Sequence, residues 1–162
     1  MGTVHMMIGI QGSGKSSYAR FLEKTKGFKI VSTDLVRQLH PDWAEPLIWP
    51  EVYHLCGVEL ENNRDVIFDA TNITPKVRKR FVDEVSKYYQ NFDMKGYYFC
   101  IPTTTCIERV AKRNHDPHEL KLPLEVISSY AEKIIEPTLD EGFIEIVKIT
   151  EDDEAKWYSF VA

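Results

Sequence analysis

Eight consecutive residues near the start of the chain carry its densest chemistry. Gly9-Ile10-Gln11-Gly12-Ser13-Gly14-Lys15-Ser16 fits the spacing G-x-x-x-x-G-K-[ST] at every fixed position. Glycines let the backbone take positive φ angles and approach a ligand closely, so that successive N–H groups converge on an anion. A helix following the loop adds its N-terminal dipole. In that geometry Lys15 reaches the β- and γ-phosphates of a nucleotide and the Ser16 hydroxyl ligates Mg²⁺. Gly9, Gly12, Ser13, Gly14, Lys15, Ser16 and Ser17 are the candidate nucleotide-binding residues, and ATP with Mg²⁺ the expected cofactors.

Three further sets could complete a reaction. Asp34 and Arg37 lie three apart in S-T-D-L-V-R. There a carboxylate can take the proton of an acceptor hydroxyl while the guanidinium on the same helical face holds an acceptor anion. The competing reading makes Asp34 a helix cap and Arg37 a solvated charge. Asp69 ends an apolar run, where a carboxylate is costly unless it is bonded, paired or near a metal. It can hold Mg²⁺ through water, orient an arginine, or simply begin the exit turn, and Thr71 and Asn72 can touch the acceptor or shape that turn. Arg109 and Arg113, four apart on one helix, precede the polar stretch HDPHELKL, as arginines beside a lid would; otherwise they form a solvated face.

Positioning these groups needs strands that alternate with helices. Val4, Met6, Met7, Ile8 and Ile10 crowd ahead of the loop as a buried strand, and Tyr18, Phe21 and Leu22 give the next segment an apolar helical face. Further strands are predicted at 28–31, 66–70, 94–101 and 144–149. Helices are predicted at about 33–39, 51–64, 75–90, 103–114 and 123–136, with Thr74 capping and Pro75 at the first helical position of the third of these. Lys76, Arg78, Lys79 and Arg80 make the strongest basic cluster, and residues 151–162 form an acidic tail of undetermined structure. The alternation implies an α/β fold, a parallel sheet with helices on both faces, whose ligands bind beyond the carboxyl ends of the strands. Lys15, Asp34 and Asp69 would all emerge at that edge.

A chain of 162 residues suits one domain, 1–162, with a lid at about 113–123. Twenty-five acids against twenty bases give a net charge of −5, which weighs against tight binding of long duplexes more than against gripping a strand end. Three cysteines without C-x-x-C spacing suggest reduced structural thiols. No apolar run is long enough to cross a membrane, and the opening MGTVHMM enters a strand at once, so no membrane partner and a cytoplasmic location are expected.

Taken together, Gly9 to Ser16, S-T-D-L-V-R at 32–37, D-A-T-N at 69–72 and R-V-A-K-R-N at 109–114 followed by L-P-L-E-V-I resemble the P-loop kinase domain of bacteriophage-type polynucleotide 5′-hydroxyl kinases and their small AAA-like relatives. The resemblance runs from Met6 to about Phe143. It implies a P-loop NTPase fold of the adenylate-kinase type, with five strands in the order 2-3-1-4-5. It also implies Lys15 and Ser16 on phosphates and Mg²⁺, Asp34 as general base, Arg37 on the phosphate next to the reacting hydroxyl, and Arg113 as lid arginine. Arg109 fits the broader kinase pattern better. Thr71 and Asn72 match the acceptor-side turn, with Ala70 as an extra residue after Asp69. The 3′-phosphatase half of the bacteriophage enzymes has no counterpart. The expected acceptor is a 5′-hydroxyl end of DNA or RNA. The alternatives are a small-molecule kinase acting on a nucleoside, sugar or antibiotic hydroxyl, and a nucleotide-binding regulatory module.

Overall fold

A computed structural model describes residues 1–119 and 121–160, so Leu120 of the expected lid and the last two residues of the expected domain lie outside the described residues. Five strands, β1 (Thr3–Ile8), β2 (Lys29–Ser32), β3 (Val66–Asp69), β4 (Asp93–Phe99) and β5 (Phe143–Ile149), form one all-parallel sheet in the order β2-β3-β1-β4-β5. The central strand explains the arrangement. All but the first residue of β1 are buried, and its successive side chains serve opposite faces. Val4, Met6 and Ile8 join one apolar cluster, and Met7 joins the other.

The first face is covered by α2 (Thr33–Leu39), α3 (Ile48–Glu61) and α4 (Pro75–Val85), through Val36, Val52, Cys56, Leu60, Phe81 and Val85. The second is covered by α1 (Lys15–Lys26), α5 (Thr103–Asn114) and α6 (Leu124–Lys133), through Ala19, Leu22, Cys106, Val110 and Ile127. A short α7 (Glu151–Glu154) follows β5. Burial on both faces gives these strands their continuous hydrophobic runs.

Helix boundaries depart from expectation at several ends. The helix expected from Glu51 begins at Ile48 and takes Pro50 into its first turn, where a missing N–H costs no intrahelical bond. The helix expected to reach Gln90 ends at Val85, followed by turn bonds from the Lys87, Tyr88 and Tyr89 amides. The last long helix stops at Lys133 rather than near Glu136, and the Ile135 amide bonds instead to the Ile73 carbonyl at 2.7 Å.

At the amino end of β1, remote from the loop, His5 is buried between two partners. Its Nε2 lies 2.8 Å from Asp65 and its Nδ1 2.8 Å from the Tyr97 hydroxyl. Burial lowers the imidazole pKa from its usual value near 6.5, despite the opposing pull of Asp65. The unfolded chain therefore binds a proton at this position before the folded one does. Stability contributed here is present above pH 6.5 and is lost as the pH falls towards the folded pKa. Urea unfolding is expected to show a decline of at most about 1.4 kcal/mol per pH unit over that window, and His5→Gln should flatten it.

Candidate active site

The glycine-rich loop sits between β1 and α1. Gly12 has φ +80° and Gly14, which caps α1, has φ +94°. A side chain at Gly12 would stand 2.5 Å from the Cys106 carbonyl oxygen, so only glycine lets the loop pack this closely on α5. Lys15 is only 8% exposed and donates to the Ile10 carbonyl at 2.9 Å. Burial lowers its pKa and Arg113 adds to that effect, while Asp69, Cys106 and Asp34 oppose it. Lys15, Asp69, Asp34 and Arg113 therefore share one electrostatic neighbourhood at the carboxyl edge of the sheet. Among the described residues the buried Ser13 hydroxyl has no hydrogen-bond partner, and it stands where a Cβ at Gly9 would meet it at 2.6 Å.

Across the loop, the exposed Ser16 hydroxyl donates to Asp69 at 2.8 Å. Asp69 ends β3 beside Met7 of β1 and Ser32 of β2. Burial raises its pKa, Lys15 and the Ser16 hydrogen bond pull it down, and Asp34 raises it again. A partly buried carboxylate beside a serine hydroxyl is a hard-oxygen donor set that suits Mg²⁺. Among the described residues no three His, Cys, Asp or Glu side chains cluster as an all-protein metal cage, and Mg²⁺ held largely by nucleotide phosphates and water requires none.

At the end of β2, Ser32 caps α2 by accepting from the Leu35 amide at 3.0 Å. The cap is therefore not Asp34, whose carboxylate stands exposed and accepts from Arg37 Nη1 at 2.9 Å. Arg37 also forks onto Glu45, with Nε 3.2 Å from Oε2 and Nη2 bonded to Oε1. Those hydrogen bonds raise the Arg37 pKa and hold the Glu45 carboxyl below the usual carboxylate range.

A family model described as an AAA domain, AAA_33, matches residues 4–137. The chain belongs to the AAA_33 family. The AAA_33 domain shares the fold of solved P-loop proteins. These include Chaetomium thermophilum Kti12 in complex with ADP-AlF3 (TM-score 0.67, 16% identity, covering 98% of this chain and 94% of that one). A fungal RNA kinase also matches (TM-score 0.67, 13% identity, 91% and 73% covered), as does a gluconokinase from Sinorhizobium meliloti (TM-score 0.60, 15% identity, 98% and 87% covered). A search of curated proteins finds no match. Among the described residues of this AAA_33 chain, no helix is long and apolar enough to cross a membrane.

Several expected site residues have other partners in the AAA_33 structure. Asn72 is 1% exposed, with φ 48°, and its amide donates to the Met7 carbonyl at 2.8 Å and the Ala70 carbonyl at 3.3 Å. These bonds shape the turn, the second of the two roles its position suggests. Thr71 is half-buried and its carbonyl receives the Gly9 amide at 3.0 Å, which ties the turn after β3 to the start of the loop. Arg109 bridges the Gly12 carbonyl, at 3.2 Å, to both oxygens of buried Glu154 in α7, at 2.7 and 3.0 Å. The acidic tail is thus part of the loop's support, with Trp157 buried against Tyr18. Ser17 accepts from Arg20 at 3.2 Å.

Sequence reasoning missed Glu45, Glu154 and the role of Arg78. Arg78 is 1% exposed, pairs with Glu141 at 2.6 and 3.1 Å and donates to the Asn72 carbonyl at 2.7 Å. Its spacing with Phe81 and Val85 is that of one buried helical face, a signal that the charge of the cluster obscured. Lys79 pairs with Asp83 at 2.8 Å, so the expected basic cluster is divided between core and surface.

Proposed function

We propose that this AAA_33 domain transfers the γ-phosphate of ATP to a hydroxyl, and that its acceptor is the 5′-hydroxyl end of a nucleic acid. The observation that carries this reading is the Asp34–Arg37 pair, 2.9 Å apart, which follows the end of β2 at Ser32, in register with Asp69 at the end of β3. A nucleotide-binding switch has no use for a carboxylate and an anion receptor beside the phosphate loop. A kinase needs both.

In this reading the loop amides and the Ser13 hydroxyl cradle the phosphates, and Lys15 leaves the Ile10 carbonyl to bind the β- and γ-phosphates. Ser16 and Asp69 would hold Mg²⁺, which when bound neutralises charge on the transferring phosphoryl group. Arg37 grips the phosphate next to the reacting hydroxyl, and Asp34 accepts the hydroxyl proton as the oxygen bonds to the γ-phosphorus. The bond between that phosphorus and the β–γ bridging oxygen breaks, and ADP departs. Arg113, which already influences Lys15, supplies positive charge to the migrating group from the base of the 114–122 loop.

Lys15→Ala removes the one buried cation of the cradle. It is expected to reduce phosphotransfer by about 10²–10³-fold, measured as initial rate at saturating acceptor. An unaltered rate would contradict the assigned role of the loop.

A second reading, transfer to a small-molecule hydroxyl, is favoured by the burial of Arg78 and by Glu45, which reduce the positive surface available to a strand. One assay separates the two. γ-Labelled ATP with Mg²⁺ is offered to a short 5′-hydroxyl oligonucleotide, its 5′-phosphorylated twin and a panel of nucleosides and sugars. Label on the 5′-hydroxyl oligonucleotide alone supports the first reading, and label on a small molecule alone supports the second. No label on any acceptor overturns both.

A further inference from the structure

Arg37 meets a partner that a receptor for acceptor anions would not be expected to have. Its Nε and Nη2 both engage the Glu45 carboxylate, the planar fork-on-fork arrangement with which arginine binds a phosphate or carboxylate group. The third edge of the guanidinium, through Nη1, is held by Asp34 at 2.9 Å.

The contact is built by its surroundings. Between Arg37 and Glu45 the chain reverses, with the Trp43 amide bonded to the His40 carbonyl at 3.0 Å. The two rings stack at 3.6 Å with an interplanar angle of 8°. Trp43 also packs on the apolar cluster under α2 and α3, and the Leu47 amide closes the next turn on Ala44 at 2.9 Å. The segment that presents Glu45 to Arg37 is thereby fixed at both ends.

We infer that Glu45 is an internal stand-in for the acceptor's anion: it occupies Arg37 in the free protein, and an acceptor engages Arg37 only if its own anion displaces that carboxylate. This rests on the proposed place of Arg37 at the acceptor. Glu45 then sets how much an anionic acceptor gains from Arg37. A 5′-hydroxyl nucleoside 3′-monophosphate must compete with the Glu45 carboxylate for the guanidinium and loses part of its advantage, whereas a neutral nucleoside brings nothing that competes and is unaffected. Displacement leaves Arg37 between the acceptor phosphate and Asp34, which brings the base and the acceptor anion to one guanidinium.

The test compares wild type with Glu45→Gln, which keeps the shape of the side chain and removes its charge. Phosphorylation of adenosine 3′-monophosphate and of adenosine is followed by kinetics, and binding of adenosine 3′-monophosphate by the ¹⁵Nε signal of Arg37, assigned by its loss in Arg37→Lys. The variant is expected to lower KM and Kd for the monophosphate by about two- to fivefold, the range carried by an exposed ion pair, with the adenosine KM unmoved. Unchanged values, or equal shifts for both acceptors, overturn the inference. If wild type phosphorylates neither compound nor any oligonucleotide, the nucleic-acid reading fails. The Arg37 signal still decides the inference: tighter monophosphate binding by Glu45→Gln upholds it, and equal binding defeats it.

Discussion

Asp34→Ala is expected to slow phosphotransfer by about 10²–10⁴-fold, the range contributed by a positioned general base. Nucleotide affinity should stay nearly unchanged. The substitution separates chemistry from folding and binding cleanly because the Asp34 side chain is 75% exposed and its one described partner, Arg37, keeps Glu45 when the carboxylate is gone. α2 keeps its cap, since Ser32 supplies that bond. Single-turnover rates with whichever acceptor the wild type labels, set beside calorimetric nucleotide titrations, give the two quantities. A lost rate with intact affinity identifies an interaction made in the transition state. A rate within a few-fold of wild type would remove Asp34 from the mechanism and leave the loop as a binding device.

The second large effect concerns stability. Arg78→Ala is expected to cost about 3–5 kcal/mol, because it strands the Glu141 carboxylate beside a site built to neutralise it. Burial works to raise the Glu141 pKa, but the hydrogen bonds from Arg78 and Thr138 outweigh it and hold the group ionised. A loss of that size is a large share of the 5–15 kcal/mol typical of a domain. The midpoint of urea unfolding measures it. Replacing both partners, Arg78→Met with Glu141→Leu, should recover most of the loss, since an apolar pair of similar volume is often neutral. If the single substitution costs less than about 1 kcal/mol, the pair contributes little. The functional side effect is local: Arg78 also holds the Asn72 carbonyl, so the turn after β3 should loosen.

What the sequence made readable follows from which physics was local. The strand, loop and helix from Thr3 to Lys26 could be read directly because glycine spacing and apolar runs act over a few residues, and the sheet order agrees with the one the family resemblance implies. Thr74 caps α4 as its position before Pro75 suggests. The errors lie where a residue's role depends on a distant partner. Arg78 reads as a surface cation until Glu141, 63 residues later, folds onto it. Glu154 reads as one acid among many until Arg109 claims it across 45 residues. Asn72 has the residue type of an acceptor contact, yet its amide is directed to the carbonyl of Met7, 65 residues away on the adjacent strand. α3 starts earlier than its apolar spacing suggests for a different reason: Pro50 does not bar a helix whose first turn leaves its N–H groups unpaired anyway.

One consequence lies in the loop between α5 and α6. Asn114 joins its two ends twice, donating from Nδ2 to the Leu122 carbonyl at 2.8 Å and accepting the Leu122 amide at 2.9 Å. Asp116 turns the interior by accepting the His118 amide at 2.9 Å. A slack connection of this length would surrender conformational entropy, of order 1–2 kcal/mol for each residue fixed, whenever it settled over a substrate. With its ends already clasped, the loop has given up part of that freedom on folding. Any ordering of its described residues on binding starts from a connection already closed at both ends, and the entropy left to lose is correspondingly small.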